Sequence, residues 1–281
     1  MSISPQYRGR IAPTPSGFLH AGHLATFRTA CERARQRGGV VVFRMEDIDL
    51  DRCTREYAEA AVEDLRAEGL TWQEGVGAGG GEFAPYEQSL RFGYYWSLVE
   101  RLSEAGLLYV SDASRADVKK LGAAPKRVFG FCEPEPIFPQ SLRAKPAKAS
   151  DVRDAKAQNW RFAVPRGRAV EFFDNNFGAV KFVAGEDFGD FLVWRKRGAP
   201  SYELAVVADD AAMKITEVVR GADLLLSTAR QILLYEALGF DIPEFFHCPL
   251  VRGENGEKIS KSTLKNLGEN GWLIGRRKAP R

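Results

Sequence analysis

A chain of 281 residues with 44% apolar and 27% charged side chains can bury a sizeable core without a disulfide or metal staple. No run approaches the roughly 20 apolar residues that a membrane helix needs, and Met1 to Arg10 lack the apolar centre of a secretory signal, so a soluble cytoplasmic protein with no membrane partner is expected. A net charge of +3 permits a nucleic-acid partner but does not argue for one, since phosphate binding depends on clustered cations.

In chain order, residues 8 to 12 read as a strand, and Pro13-Thr14-Pro15-Ser16-Gly17 then forces a loop. Leu24, Phe27, Cys31 and Ala34 recur at helical spacing until Gly38-Gly39 stops them. Val40 to Phe43 is a continuous apolar, β-branched run of the kind that sheets bury on both faces. The first 45 residues therefore predict a β-loop-α-β unit and a parallel sheet. A second helix is expected around Ala58, Val62 and Leu65, ending at Gly69, with a Gly-rich loop over 75 to 81 and a third helix over Glu87 to Ala105.

From 107 to 189 the pattern changes to short strand-like runs, Trp160 to Val164, Ala169 to Phe173 and Ala179 to Val183, beside a stretch rich in Pro and Lys at 125 to 158. This region reads as an insertion. Strand-like runs at Phe191 to Trp194, Tyr202 to Val207 and Ile215 to Val219 precede a helix over Asp223 to Leu238 and a strand over Phe246 to Val251. Asn255-Gly256 then marks a tight turn before Lys258-Ile259-Ser260-Lys261-Ser262.

Two constellations carry chemistry. His20 and His23 stand three apart with Gly22 between them, at the start of a helix that follows a strand. Such an end offers N–H groups and a positive dipole to a phosphate, glycine permits close backbone approach, and imidazoles add directional donors. The same residues also fit a helix cap in which both rings are satisfied by backbone groups. Lys258, Ser260 and Lys261 form a loop that can close over a triphosphate and meet charge developing at phosphorus. The four cysteines, Cys31, Cys53, Cys132 and Cys248, are scattered and read as free thiols.

The two loops resemble the HIGH and KMSKS signatures of class I aminoacyl-tRNA synthetases. Arg10 to Gly17, Phe43 to Asp49 and Pro85 to Ser89 are similar to the glutamyl-tRNA synthetase group, and Tyr202 to Asp210 with Val219 to Leu225 is similar to its short glutamyl-Q tRNA(Asp) members. The resemblance implies a Rossmann-like, doubly wound parallel α/β core over 1–106 and 190–250, split by an inserted α+β subdomain over 107–189. Residues 251–281 would hold the KISKS loop and a short tail, without an anticodon-binding domain. It implies that His20, Gly22, His23, Lys258, Ser260 and Lys261 bind ATP, that the two His and two Lys are catalytic, and that Mg²⁺ accompanies the nucleotide. Arg10, Ala12, Thr14, Glu46, Tyr202 and Arg220 would line a glutamate pocket, the arginines meeting the carboxylates and Glu46 the ammonium; Glu46 could equally be a partner for Arg44.

Many glutamyl-Q members place zinc-binding cysteines where this chain has Ser111 and Ala113, and only Cys132 matches, so no structural zinc is expected. The implied activity is glutamate adenylation by ATP and transfer to an acceptor, queuosine in tRNA(Asp). The alternatives are transfer to a small molecule or carrier protein, and a catalytically silent protein that binds RNA or nucleotide. No feature bears on oligomeric state.

Overall fold

The computed structural model describes residues 6–250 except 130 and 133. Its elements run β1 (Arg8–Ile11), α1 (Ala21–Gln36), β2 (Val40–Phe43), α2 (Arg55–Ala67), β3 (Glu74–Gly75), α3 (Phe92–Glu104), β4 (Leu108–Val110), α4 (Arg115–Leu121), β5 (Trp160–Phe162), β6 (Ala169–Asp174), β7 (Gly178–Val183), β8 (Phe191–Arg195), β9 (Ala199–Pro200), α5 (Tyr202–Ala212), β10 (Glu217–Gly221), α6 (Leu225–Leu238) and β11 (Glu244–Cys248). Short 3₁₀ turns fill the rest. The described residues form two compact units, one of 6–90, 214–222 and 243–250, the other of 91–213 and 223–242.

The first unit is parallel. β1 pairs with β2 from Arg8↔Val40 to Ile11↔Phe43, and β2 pairs with β3. β10 pairs with β11 from Glu217↔Glu244 to Gly221↔Cys248. Thr216 joins β10 to β1, its N–H donating to Arg8 O at 2.9 Å while Arg8 N–H donates to Thr216 Oγ1 at 2.9 Å. α1 crosses between β1 and β2, as a parallel connection requires. Its Phe27 and Ala34 join Ile11, Val41, Phe43, Leu65 and Trp72 in the core, and its Ala30 packs with Val219 and Cys248. The chain leaves α1 through Gly39 because a Cβ there would lie 2.3 Å from Tyr7 O.

An ion pair spans this sheet. The Arg8 guanidinium donates to both Glu74 oxygens at 2.8 Å, and the Tyr86 hydroxyl adds a contact at 3.3 Å. That guanidinium holds the Glu74 carboxyl below its ordinary range, and burial pushes the Tyr86 phenol up. Glu74→Gln is therefore expected to cost about 1.5 kcal/mol near neutral pH, the scale of a hydrogen bond to a charged group. A lowered folded pKa gives stability that is fully present above the unfolded carboxylate pKa and lost as pH falls through the folded one. The difference in urea-unfolding free energy between parent and variant should close in that acid window; a difference that stays constant there would contradict the assignment.

In the second unit β4, β5, β8 and β9 form an antiparallel sheet in that order, and β6 and β7 form a hairpin. Asp174 Oδ1 organises the hairpin turn by accepting from the N–H groups of Asn176 and Phe177, each at 3.0 Å. Asp190, buried beside the sheet, accepts from the Tyr109 hydroxyl at 2.7 Å, Arg143 Nε at 2.7 Å and Val164 N–H at 2.9 Å. The expected strands at Trp160, Ala169, Ala179 and Phe191 are present.

Two expectations are corrected. Tyr202 to Val207, read as strand-like, begins the helix α5, capped by the Ser201 hydroxyl accepting from Leu204 N–H at 3.3 Å. Residues 203 to 210 of this helix are all buried, so the apolar run has no solvent face to give it a helical period. The last strand also starts and ends earlier than expected, at Glu244–Cys248.

Candidate active site

The loop after β1 is held by its backbone. Arg44 N–H donates to Ile11 O at 2.9 Å, Glu46 N–H to Pro13 O at 3.0 Å and Thr54 N–H to Pro15 O at 3.1 Å. The exit of β1 is thereby tied to the exit of β2, which sets Ala12, Thr14 and Glu46 on adjoining segments. Thr14 is exposed, Ala12 half-buried and Glu46 buried.

His20 is the N-cap of α1, with extended backbone at φ −128° and ψ 169°. Its Nδ1 accepts from Gly22 N–H at 3.2 Å, and the His23 Nδ1 accepts from His20 N–H at 3.2 Å. This is a capping box with imidazoles in place of the usual hydroxyl and carboxyl groups. The rings stack with centroids 3.7 Å apart and 28° between planes. An Nδ1 that accepts a backbone proton carries none of its own, so each neutral ring has its proton on Nε2. The cap reading of the sequence is thus realised, and it also fixes the Nε2–H tautomer that makes both rings donors. Gly22 supplies one of the helix-end N–H groups that the cap satisfies.

Arg10 is buried on β1, and its Nη1 donates to Val219 O at 2.5 Å. Arg220, the next residue along β10, is buried too, and its Nε donates to His247 Nε2 at 3.2 Å. Arg44 Nη2 pairs with Glu46 Oε1 at 3.0 Å, with both side chains buried. The sequence left Glu46 open as an Arg44 partner, and that pairing is present. Arg10, Ala12, Thr14, His20, Gly22, His23, Glu46 and Arg220 all belong to the first unit. Tyr202 belongs to the second, where it is half-buried at the start of α5. Lys258, Ser260 and Lys261 lie outside the described residues.

Two buried residues escaped the sequence reading. His247 is the chain's third histidine, set in an apolar strand, and nothing local links it to an arginine 27 residues away. Glu217 is fully buried and accepts from the Tyr7 hydroxyl at 2.6 Å and from Arg33 at 2.7 and 2.6 Å. At the positions expected to lack zinc ligands, Ser111 is buried and its Oγ accepts from Arg161 Nε at 3.3 Å, while Cys132 is half-buried. Among the described residues, no three His, Cys, Asp or Glu side chains converge on a point that could hold a metal ion, and no helix is long and apolar enough to cross a membrane.

A strand that runs through a proline-rich loop into an imidazole-capped helix, within a parallel sheet, is the architecture of a class I tRNA synthetase core. The chain belongs to that family: the model described as tRNA synthetases class I (E and Q), catalytic domain, matches residues 6–279. It is accordingly a ligase of the class I type, and the resemblance read from the signature loops holds for family and fold.

The chain is 43% identical over 255 residues to a Glutamyl-Q tRNA(Asp) synthetase of Symbiobacterium thermophilum, covering 90% of this chain and 77% of that one. It is 36% identical over 277 residues to a Glutamate--tRNA ligase of Carboxydothermus hydrogenoformans, covering 95% and 55%. Among solved structures, a glutamate tRNA ligase from Elizabethkingia meningosepticum in complex with its amino acid superposes with a TM-score of 0.76 at 28% identity, over 96% of this chain and 54% of that one. The chain thus spans about three quarters of the first relative and about half of the other two.

Proposed function

We propose that this protein activates glutamate with ATP to form glutamyl-adenylate and passes the glutamyl group to queuosine in tRNA(Asp). The observation that carries the reading is the pair of buried guanidiniums on neighbouring strands, Arg10 on β1 and Arg220 on β10, in the same unit as the imidazole-capped helix. An amino acid with two carboxylates calls for two fixed cations, and a carboxylate for its ammonium, which is the role of Glu46. By the resemblance, Ala12, Thr14 and Tyr202 are also assigned to the glutamate site. The likeness to glutamyl-Q and glutamate ligases supports the amino acid and a tRNA acceptor; the higher identity to the glutamyl-Q relative, 43% against 36%, favours queuosine.

In this reading a glutamate α-carboxylate oxygen attacks the α-phosphorus of ATP, the bond to the bridging oxygen breaks, and pyrophosphate leaves with that electron pair. The Nε2–H groups of His20 and His23 donate to phosphate oxygens on which charge builds, and Gly22 lets the nucleotide approach the helix end. By the resemblance of their loop, Lys258, Ser260 and Lys261 are assigned to the triphosphate. Mg²⁺ would arrive with ATP and offset charge on the departing pyrophosphate. The division into a catalytic core and an acceptor-side insertion over 107–189, and a cytoplasmic setting, belong to the same proposal.

The test is ATP–pyrophosphate exchange with each of the twenty amino acids, with and without tRNA. Exchange that depends on glutamate and proceeds without tRNA, followed by transfer of labelled glutamate to tRNA(Asp) containing queuosine, is expected. Exchange with a different amino acid would overturn the substrate, and none with any would overturn the enzymatic reading in favour of a nucleotide- or RNA-binding role.

A further inference from the structure

We propose that His247 is a positioning residue for Arg220, holding its guanidinium in the plane in which it meets the amino-acid substrate. The inference rests on the assignment of Arg220 to the glutamate site made above. Arg220 and His247 stand directly opposite each other in the parallel pairing of β10 and β11, so their side chains leave the sheet on one face. Arg220 Nε lies 3.2 Å from His247 Nε2, and both residues are buried, at 4% and 0% exposure. The ring of Phe245, two residues earlier and hence on that same face, stacks near the His247 ring at 6.3 Å and 23°.

An arginine nitrogen has protons to give and no lone pair to accept. His247 Nε2 must therefore be the acceptor, which fixes a neutral ring with its proton on Nδ1. This is the opposite tautomer from His20 and His23, whose Nδ1 atoms accept. A guanidinium is planar, so anchoring Nε fixes the direction of both terminal nitrogens, which form the fork that recognises a carboxylate. On the other side of β10, Arg10 is tied to Val219 O. Each candidate carboxylate-binding arginine is thus oriented from a different neighbouring strand, Arg10 through a backbone carbonyl and Arg220 through a side chain that mutation can remove.

The contact can be tested with two polar variants of similar size. In His247→Gln the amide oxygen reaches the place of Nε2, whereas in His247→Asn it reaches only that of Nδ1. His247→Asn is expected to raise the KM for glutamate in pyrophosphate exchange by about 10-fold to 100-fold, the scale of one lost hydrogen bond to a charged group. Its kcat at saturating glutamate and its KM for ATP should stay near the parent values, and His247→Gln should restore the glutamate KM. In an Arg220→Ala background, His247→Asn should add nothing further.

A second measurement does not depend on turnover. In a long-range nitrogen–proton correlation spectrum of the histidine-labelled protein at about pH 8, above the ordinary imidazole range, the His247 ring should show the Nδ1–H tautomer, and its signals should vanish in His247→Asn. An Nε2–H tautomer at His247 would overturn the proposal. So would an unchanged glutamate KM in His247→Asn when Arg220→Ala raises it. If Arg220→Ala itself leaves that KM unchanged, it is the glutamate-site reading that falls, and the proposed positioning role falls with it.

Discussion

Replacing His20 with Asn should leave the fold standing and lower glutamate-dependent pyrophosphate exchange by about 10²–10³-fold, the loss that follows removal of one donor to developing charge. Asn is among the best N-cap residues, and its amide oxygen can take over the bond that Gly22 N–H now makes to His20 Nδ1. It has nothing at the position of Nε2. The substitution thus keeps the cap and deletes the Nε2 donor, separating two roles that one imidazole combines. His20→Ala should lose both, adding about 1 kcal/mol of destabilisation from the missing cap. Thermal unfolding and exchange measured on the same preparations decide between the roles. Full activity in His20→Asn would reduce His20 to a capping residue.

Glu217→Ala should be the most destabilising single change in the first unit, by about 3–5 kcal/mol, because it removes the carboxylate from a buried ion pair and leaves its partner behind. Glu217 is fully buried at the start of β10. Arg33 on α1 donates to both its oxygens at 2.7 and 2.6 Å, the Tyr7 hydroxyl donates at 2.6 Å, and Arg37 stands at 3.5 Å. The bond to Glu217 raises the Arg33 guanidinium above its ordinary range, and burial, aided by the same carboxylate, pushes the Tyr7 phenol up. Arg33 also lies over the Phe246 ring at 4.2 Å, so one side chain fastens α1 to both β10 and β11. Urea unfolding of the variant measures the effect, and a loss below about 1 kcal/mol would show that the cluster is only peripheral to stability. Glu217 lies three residues before Arg220 on the same strand, so a variant that folds should also bind glutamate less tightly.

Much of this molecule is legible in its sequence because the signals are local. The β-loop-α-β opening follows from two prolines and a glycine, a helical spacing and a β-branched run, each complete within a few residues. The two signature loops announced the family, since a helix end with imidazoles and a lysine loop each carry their chemistry in consecutive positions. Local signals failed at α5, where burial of residues 203 to 210 on every side erased the period by which a helix is recognised.

Tertiary structure alone decided how the charged groups far apart in the chain are partnered. Tyr7 meets Glu217 across 210 residues, Arg10 meets the Val219 carbonyl across 209, and Arg220 meets His247 across 27. None of these partnerships has a sequence signal, because each depends on which strands the chain brings side by side and in what register. The sequence thus determined which chemistry is present, and the parallel return of β10 and β11 decided which residues orient it, because burying a charge requires a partner and only the folded sheet supplies one.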